Sequence, residues 1–367
     1  MARAFFVIIL LLHALIHIMG FVKAFKLADI QQLTLPISKT AGMLWLLSAL
    51  LFIITIVLLI IKNDMWWMVA IPAVVLSQLL IFQVWQDAKY GTIINIITAV
   101  AIIIGYGVWN FNIKAKQQLQ GILPTQSFPL EIITQAHLDP LPPVVQRWLK
   151  RAQVIGKERI NTVHLHQKGK MRTTPNGAWM PVQAEQYFTT NPPAFVWTAD
   201  VKMFALFHLA GIDVYHNGKG SMLIQALSLL PVVDAKGAET DQGTLLRYLG
   251  EICWFPTAAL NDYITWEAID STSAKATMTY GGASASGTFY YNIDGDMIGF
   301  EADRYYGRKA GATLERWHIE NTAYGERAGI RIPVASEVTW KLKEGDFTWF
   351  KLMITDIEYN NIPARAK

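Results

Sequence analysis

Histidines and carboxylates occur in short-spaced sets along this chain, and each set names a chemistry to weigh. His13 and His17 stand four residues apart, so on a helix they share one face, as a metal or proton site would require. Two neutral imidazoles hydrogen-bonded inside a helix bundle account for the same pair, and no other histidine lies in the apolar runs. His164 and His166 share a face at strand spacing, but Lys168, Lys170 and Arg172 line that face and repel a cation. Asn292, Asp294 and Asp296 begin like positions 1, 3 and 5 of a calcium loop. The glycine required at position 6 is Met297, and position 12 is Asp303 instead of glutamate. A hairpin turn around Asp294-Gly295 explains them without an ion, and no metal site is expected.

Gly218-Lys219-Gly220-Ser221 and Gly281-Gly282-Ala283-Ser284 lack the spacing of a phosphate loop and precede strands, so both read as hairpin connections. Gln83, Gln86, Asp87, Lys89 and Asn95 cluster between two apolar runs, where they suit either a polar headgroup or a solvated loop. Asp303, Arg304, Glu315, Arg316, His318 and Glu320 offer acid/base chemistry if they converge. Strand alternation places Arg316, His318 and Glu320 on one face and Glu315 and Trp317 on the other, the pattern of exposed cross-strand ion pairs. No catalytic residue and no cofactor is assigned.

The elements that position these residues fall into two parts. Apolar runs cover residues 4–25, 41–61, 66–85 and 92–111. Each is about 20 residues long, the length at which a helix crosses roughly 30 Å of hydrocarbon. Trp66, Trp67, Trp85, Tyr90, Trp109 and Lys62 mark the run ends, where amphipathic rings and cations meet headgroups. Arg3 and the Val22-Lys23-Ala24 sequence also fit a signal peptide, but the first run is longer than a signal core. Four crossings place the N-terminus and the rest of the chain on one side. Arg3, Lys62, Lys114 and Lys116 flank that side, and Lys23, Lys26, Lys39 and Lys89 the other, so charge does not choose between them.

Residues 1–116 are therefore expected as a four-helix transmembrane domain, 117–142 as a linker and 143–367 as a β-rich domain. A helix follows Pro142-Pro143, with Val144, Val145, Trp148, Leu149 and Ala152 on one face. From Ile160 the period changes to two, with Val163, Leu165, Gln167, Gly169 and Met171 on the inner face of a strand. Met180, Val182, Ala184 and Phe188 continue the pattern, and Phe195, Trp197, Ala199, Val201 and Met203 form the most apolar row. Further strands are predicted over 212–215, 221–225, 265–269, 274–280, 288–292, 297–306, 313–321, 336–342 and 349–359. One helix interrupts them, with Leu245, Leu246, Tyr248, Leu249 and Ile252 at helical spacing, a Thr240 cap and Pro256 as its stop. The expected class is membrane α-helical plus α+β, with a curled antiparallel sheet or incomplete barrel plugged by helices.

Charge follows the same division. Of 32 basic and 28 acidic residues, eight basic and three acidic ones precede residue 120. The basic excess thus belongs to the apolar part and not to the folded domain, which excludes a nucleic-acid partner. Charged residues make up 16% of the chain, against about a quarter in a soluble protein. The single cysteine, Cys253, excludes an internal disulfide.

The order of elements over residues 143–360 resembles the LolA/LppX-like lipoprotein-carrier fold. Leu249-Gly250-Glu251-Ile252-Cys253-Trp254-Phe255-Pro256-Thr257-Ala258 is similar to a stretch of uncharacterised bacterial membrane proteins of unknown function. The resemblance implies an incomplete barrel around a hydrophobic cavity with helices as a lid, working on the extracytoplasmic side. With a four-helix anchor in place of a cleaved signal, it implies a tethered domain that binds or hands over a lipid or other amphiphile. The expected cavity residues are Phe195, Trp197, Val201, Met203, Trp254, Phe255 and Trp340. A membrane enzyme acting on lipid headgroups and an assembly subunit that binds another membrane protein are the alternatives.

Overall fold

In the computed structural model, residues 2–126, 128–204, 207–307 and 311–361 are described. The chain divides into two compact units, Met1–Ile113 with Leu227–Leu229, and Lys114–Ala226 with Leu230–Lys367. The first contains helices α1 (Ala2–Ala24), α2 (Lys39–Ile60), α3 (Trp66–Gln83), the single turn α4 (Trp85–Ala88) and most of α5 (Gly91–Ile122). Four of them, α1, α2, α3 and α5, are long and apolar enough to cross a membrane.

Polar side chains inside this unit bond to one another. His13 Nε2 lies 3.1 Å from Asn95 Oδ1 and 3.2 Å from Ser77 Oγ. His17 Nδ1 donates to the His13 carbonyl, 2.9 Å away. Asn95 also donates to Gln78 Oε1, and Asp87 accepts from the backbone N–H groups of Thr34 and Leu35. The polar cluster around residues 83–95 is thus tied to helix packing and to the α1–α2 loop.

The second unit is built on a thirteen-stranded antiparallel sheet. Its first half comprises β1 (Thr162–Met171), β2 (Met180–Thr190), β3 (Pro193–Phe204), β4 (Phe207–His216), β5 (Lys219–Ala226) and β6 (Leu230–Lys236). Its second half comprises β7 (Ile264–Ala268), β8 (Ser273–Tyr280), β9 (Ala283–Tyr291), β10 (Met297–Tyr306), β11 (Thr313–Arg327), β12 (Ile330–Leu342) and β13 (Gly345–Tyr359). Each half is a meander, and β1 pairs with β13 to join them, giving the order β6-β5-β4-β3-β2-β1-β13-β12-β11-β10-β9-β8-β7. The sheet curls into a half-barrel.

Chain connectivity fills the concave side. The segment between the two edge strands, β6 and β7, holds helix α8 (Ala238–Glu251) and two 3-10 turns, Ile252–Trp254 and Pro256–Leu260. Leu245, Leu246, Tyr248 and Leu249 of α8 are buried, and the helix packs against strands of both arms. At one end the arms meet: the β4–β5 turn carries Gly218 at φ +75° and the β8–β9 turn carries Gly281 at φ +59°. A Cβ on Gly218 would stand 2.5 Å from Gly281 Cα, so this approach and these left-handed conformations both require glycine.

Several boundaries differ from those read in the sequence. Over 117–142, α5 runs to Ile122, α6 (Gln135–Leu138) forms a turn, and Ile133 and Leu138 enter the core. Apolar residues isolated in a polar stretch carry no periodicity, so their burial was not legible. α7 (Pro143–Arg151) buries the predicted face, with the Trp148 ring 6.1 Å from Phe289 and 5.9 Å from Tyr291. The N-cap of α8 is Gly237, not Thr240, which lies within the first turn. β6 has no counterpart among the predicted strands: it is an edge strand, largely exposed and containing Pro231, so it lacks apolar alternation.

Candidate functional site

Under α8 the sheet leaves a cavity of about 190 Å³. Trp197 and Val201 of β3, Leu209 and Gly211 of β4 and Ile224 of β5 line one side. Trp317 and Ile319 of β11, Val338 of β12 and Leu352 of β13 line the other. Strands far apart in the sheet order can face one space only because the sheet curls. Gly250, Cys253 and Trp254, at the end of α8 and the turn after it, complete the wall.

Three of the seven expected cavity residues line this space: Trp197, Val201 and Trp254. The other four do not. Phe195 and Phe255 are fully buried in packed core, and the Phe255 ring lies 4.6 Å from Phe188 and 5.5 Å from Tyr248. Trp340 is 8% exposed and packs on Tyr306, with ring centroids 5.0 Å apart. Met203 is 44% exposed because the inward alternation of β3 ends at Val201. Strand spacing gives the side of the sheet a residue faces, but not whether α8 covers it there.

A polar network runs through this apolar setting. Trp197 Nε1 donates to Gln167 Oε1 at 3.0 Å, and Gln167 to Gln186 Oε1 at 3.4 Å. Gln186 donates to Glu251 Oε2 at 2.8 Å. Arg247 joins Glu251 Oε1 at 2.8 Å and Asp213 Oδ2 at 2.6 Å, and its guanidinium lies 4.8 Å from the Trp197 ring. Burial pushes the Glu251 carboxyl up, against the opposing pull of Arg247. Burial also pushes the Cys253 thiol up, which keeps it protonated and unreactive.

Arg304 lines the same cavity from β10. Its guanidinium lies 4.7 Å from the Trp317 ring, and burial draws its pKa down to about 10, so it remains charged at neutral pH. Sequence reading missed Arg247, Asp213, Glu251 and the inward course of Arg304. The legible signal was the Arg247/Glu251 pair, four residues apart on an otherwise apolar helix face.

The other polar sets lie elsewhere. His318 Nδ1 is 3.0 Å from Glu301 Oε1, and Arg316 Nε is 3.2 Å from Asp303 Oδ1, on the face opposite Trp317. His164 Nε2 is 2.7 Å from Glu185 Oε1, and its ring stacks on Tyr187 at 4.2 Å. His164, His166 and Glu185 bring ligand atoms within 4.8 Å of one another, a carboxylate that the sequence pattern alone did not add to the pair. Asp296 is clamped by Arg151 at 3.2 Å and Arg331 at 2.7 Å, cations that oppose a calcium ion there.

Residues 131–352 match a family of unknown function, DUF6544. The chain belongs to that family. The matched region takes in all of α8 and every cavity residue named above. No curated protein matches the chain. Among solved structures, a DUF1329 family protein from Desulfovibrio piger is similar at 9% identity and TM-score 0.36, covering 63% of this chain and 95% of that one. A putative outer membrane lipoprotein-sorting protein domain from Vibrio parahaemolyticus is similar at 7% identity and TM-score 0.36, covering 59% and 92%. A LolA superfamily protein from Nitrosomonas europaea is similar at 11% identity and TM-score 0.32, covering 60% and 94%.

Proposed function

We propose that the β-rich domain binds the apolar part of a lipid or other amphiphile and passes it to or from the membrane that holds the N-terminal helices. The observation that carries this reading is the cavity beneath α8, whose wall is mainly aliphatic and aromatic, with Asp213, Arg247, Glu251 and Arg304 as its charged members. A cavity of about 190 Å³ suits a stretch of alkyl chain better than a whole diacyl lipid. Its apolar side, formed by residues such as Val201, Leu209, Ile224 and Val338, offers water no hydrogen-bond partner and favours an apolar occupant there. The histidine–carboxylate pair His318–Glu301 lies outside it, which favours carriage over catalysis.

In this account residues 1–116 anchor the domain, with the N-terminus and the domain on the same, extracytoplasmic, side. Trp197, Val201 and Trp254 contact the ligand, and Phe195, Phe255 and Trp340 support the wall from behind. Mass spectrometry of small molecules extracted from gently purified full-length protein tests the reading. An aliphatic amphiphile at near-stoichiometric yield, reduced by Trp197→Ala, is expected. Its absence from protein that is folded contradicts the proposal.

A further inference from the structure

The polar groups facing the cavity are unequally satisfied, and the imbalance has a sign. Arg247 is matched by Asp213 and Glu251. Arg304 lies beside the same cavity, and among the described residues no hydrogen bond or ion pair matches its guanidinium N–H groups; Glu315, its cross-strand neighbour, does not pair with it. Trp254, Trp317 and Trp349 also line the cavity, and each has a buried indole N–H with no acceptor. Asp213 Oδ1 is the one unpartnered acceptor among the described cavity-lining side chains. Donors therefore outnumber acceptors, and one donor is a cation.

Arg304 also occupies a boundary. A more polar groove of about 480 Å³, lined by Asp234, Lys236, Glu239 and Thr240, shares Met222 and Arg304 with the apolar cavity. A molecule lying across that boundary would have an apolar end on the tryptophan side and a polar end in the groove. Arg304, held over Trp317, meets it at the junction. A guanidinium in that position presents a fork of donors that fits carboxylate or phosphate oxygens.

We infer that the ligand is an anionic amphiphile, with its carboxylate or phosphate on Arg304 and its alkyl chain in the cavity. This rests on the carrier reading above and adds the charge of the head. A neutral head leaves the Arg304 donors to water, and a cationic head adds repulsion from Arg304, whereas the charge of Arg247 is already offset by Asp213 and Glu251.

The test uses the full-length chain, immobilised in detergent, and tritiated oleate, oleoyl lysophosphatidate and oleyl alcohol. The wild type is expected to retain one or both anions about tenfold more than the alcohol. The stronger of the two identifies the head as carboxylate or phosphate. Arg304→Gln should abolish the preference and leave alcohol retention unchanged, whereas Arg304→Lys should preserve part of it. Melting curves for both variants check folding, and the lysine variant keeps the test decisive if glutamine unfolds the domain. Equal retention of acid and alcohol by the wild type overturns the anionic head but leaves the carrier reading standing. A preference that survives in folded Arg304→Gln overturns the role of Arg304. Full displacement of oleate by inorganic phosphate shows a free-anion site and overturns the amphiphile. Retention of none of the three overturns both readings.

Discussion

Arg247 Nη1 lies 2.6 Å from Asp213 Oδ2, with both side chains sealed beneath α8. The pair ties the helix to β4 inside an apolar wall, where an ion without its partner is costly. Arg247→Met or Asp213→Leu alone should destabilise the domain by about 3–5 kcal/mol. The double substitution should cost less than the sum, because neither Arg247 nor Asp213 is left unpaired by loss of the other, and what remains is the Glu251 carboxylate, which also loses its cation. Chemical denaturation of the four proteins checks this. Additive losses would show that the pair is not coupled.

Val201 and Trp197 both line the cavity, yet an aspartate should behave differently at each. At position 197 the new carboxylate falls beside the Arg247 guanidinium, 4.8 Å from the present ring, and shares that cation with Asp213 and Glu251. At position 201 it meets aliphatic side chains. Val201→Asp should lower the melting temperature by about 6–12 °C, and Trp197→Asp by less. The reverse order would place the face of β3 incorrectly.

Phe255 and Trp254 separate core packing from ligand contact. Phe255 is fully buried against Phe188 and Tyr248, so Phe255→Ala should cost about 3–5 kcal/mol with little change in ligand exchange. Trp254 lines the cavity, so Trp254→Ala should accelerate exchange of a fluorescent fatty acid. Melts read beside exchange rates distinguish the two. A Phe255→Ala protein of unchanged stability and altered exchange would reverse their roles.

Acid stability should depend on Asp296. Arg331 first, and then Arg151, hold its carboxyl down to about 2 from the ordinary 3.8. A carboxyl depressed in the folded state adds stability that is complete above the unfolded value and is lost as pH falls through about 2. Arg331→Gln should therefore cost about 1 kcal/mol between pH 5 and 7, allowing for solvent screening at Arg151. The difference should shrink as pH falls through about 2 and vanish below it. A stability gap that is independent of pH would assign Arg331 a packing role alone.

Much of this architecture is legible from periodicity. Runs of about twenty apolar residues have one stable form in hydrocarbon, and alternation from Val163 to Met171 fixes both the strand and its inner face. The composition of the site was less accessible. Arg304 follows Phe300 and Ala302 on the inner face of β10, so alternation gives its direction, but not that an arginine there borders a cavity instead of solvent. Asp213 lies among Ile212, Val214 and Tyr215, where its burial depends on Arg247, 34 residues away. Phe195 and Trp197 share a face, yet one is core and the other cavity wall. Contacts of this kind arise when the sheet curls, and they are set by residues distant in sequence.

The central claim, that an alkyl chain enters the space beneath α8, is tested most directly by a fatty acid carrying a terminal diazirine. Full-length protein in membranes is irradiated with the probe, and the adducts are mapped by peptide mass spectrometry. The account predicts adducts on peptides containing Trp197, Val201, Leu209 and Trp317, reduced by excess oleate. Adducts confined to residues 1–113, with none on β3, β4 or β11, would contradict it.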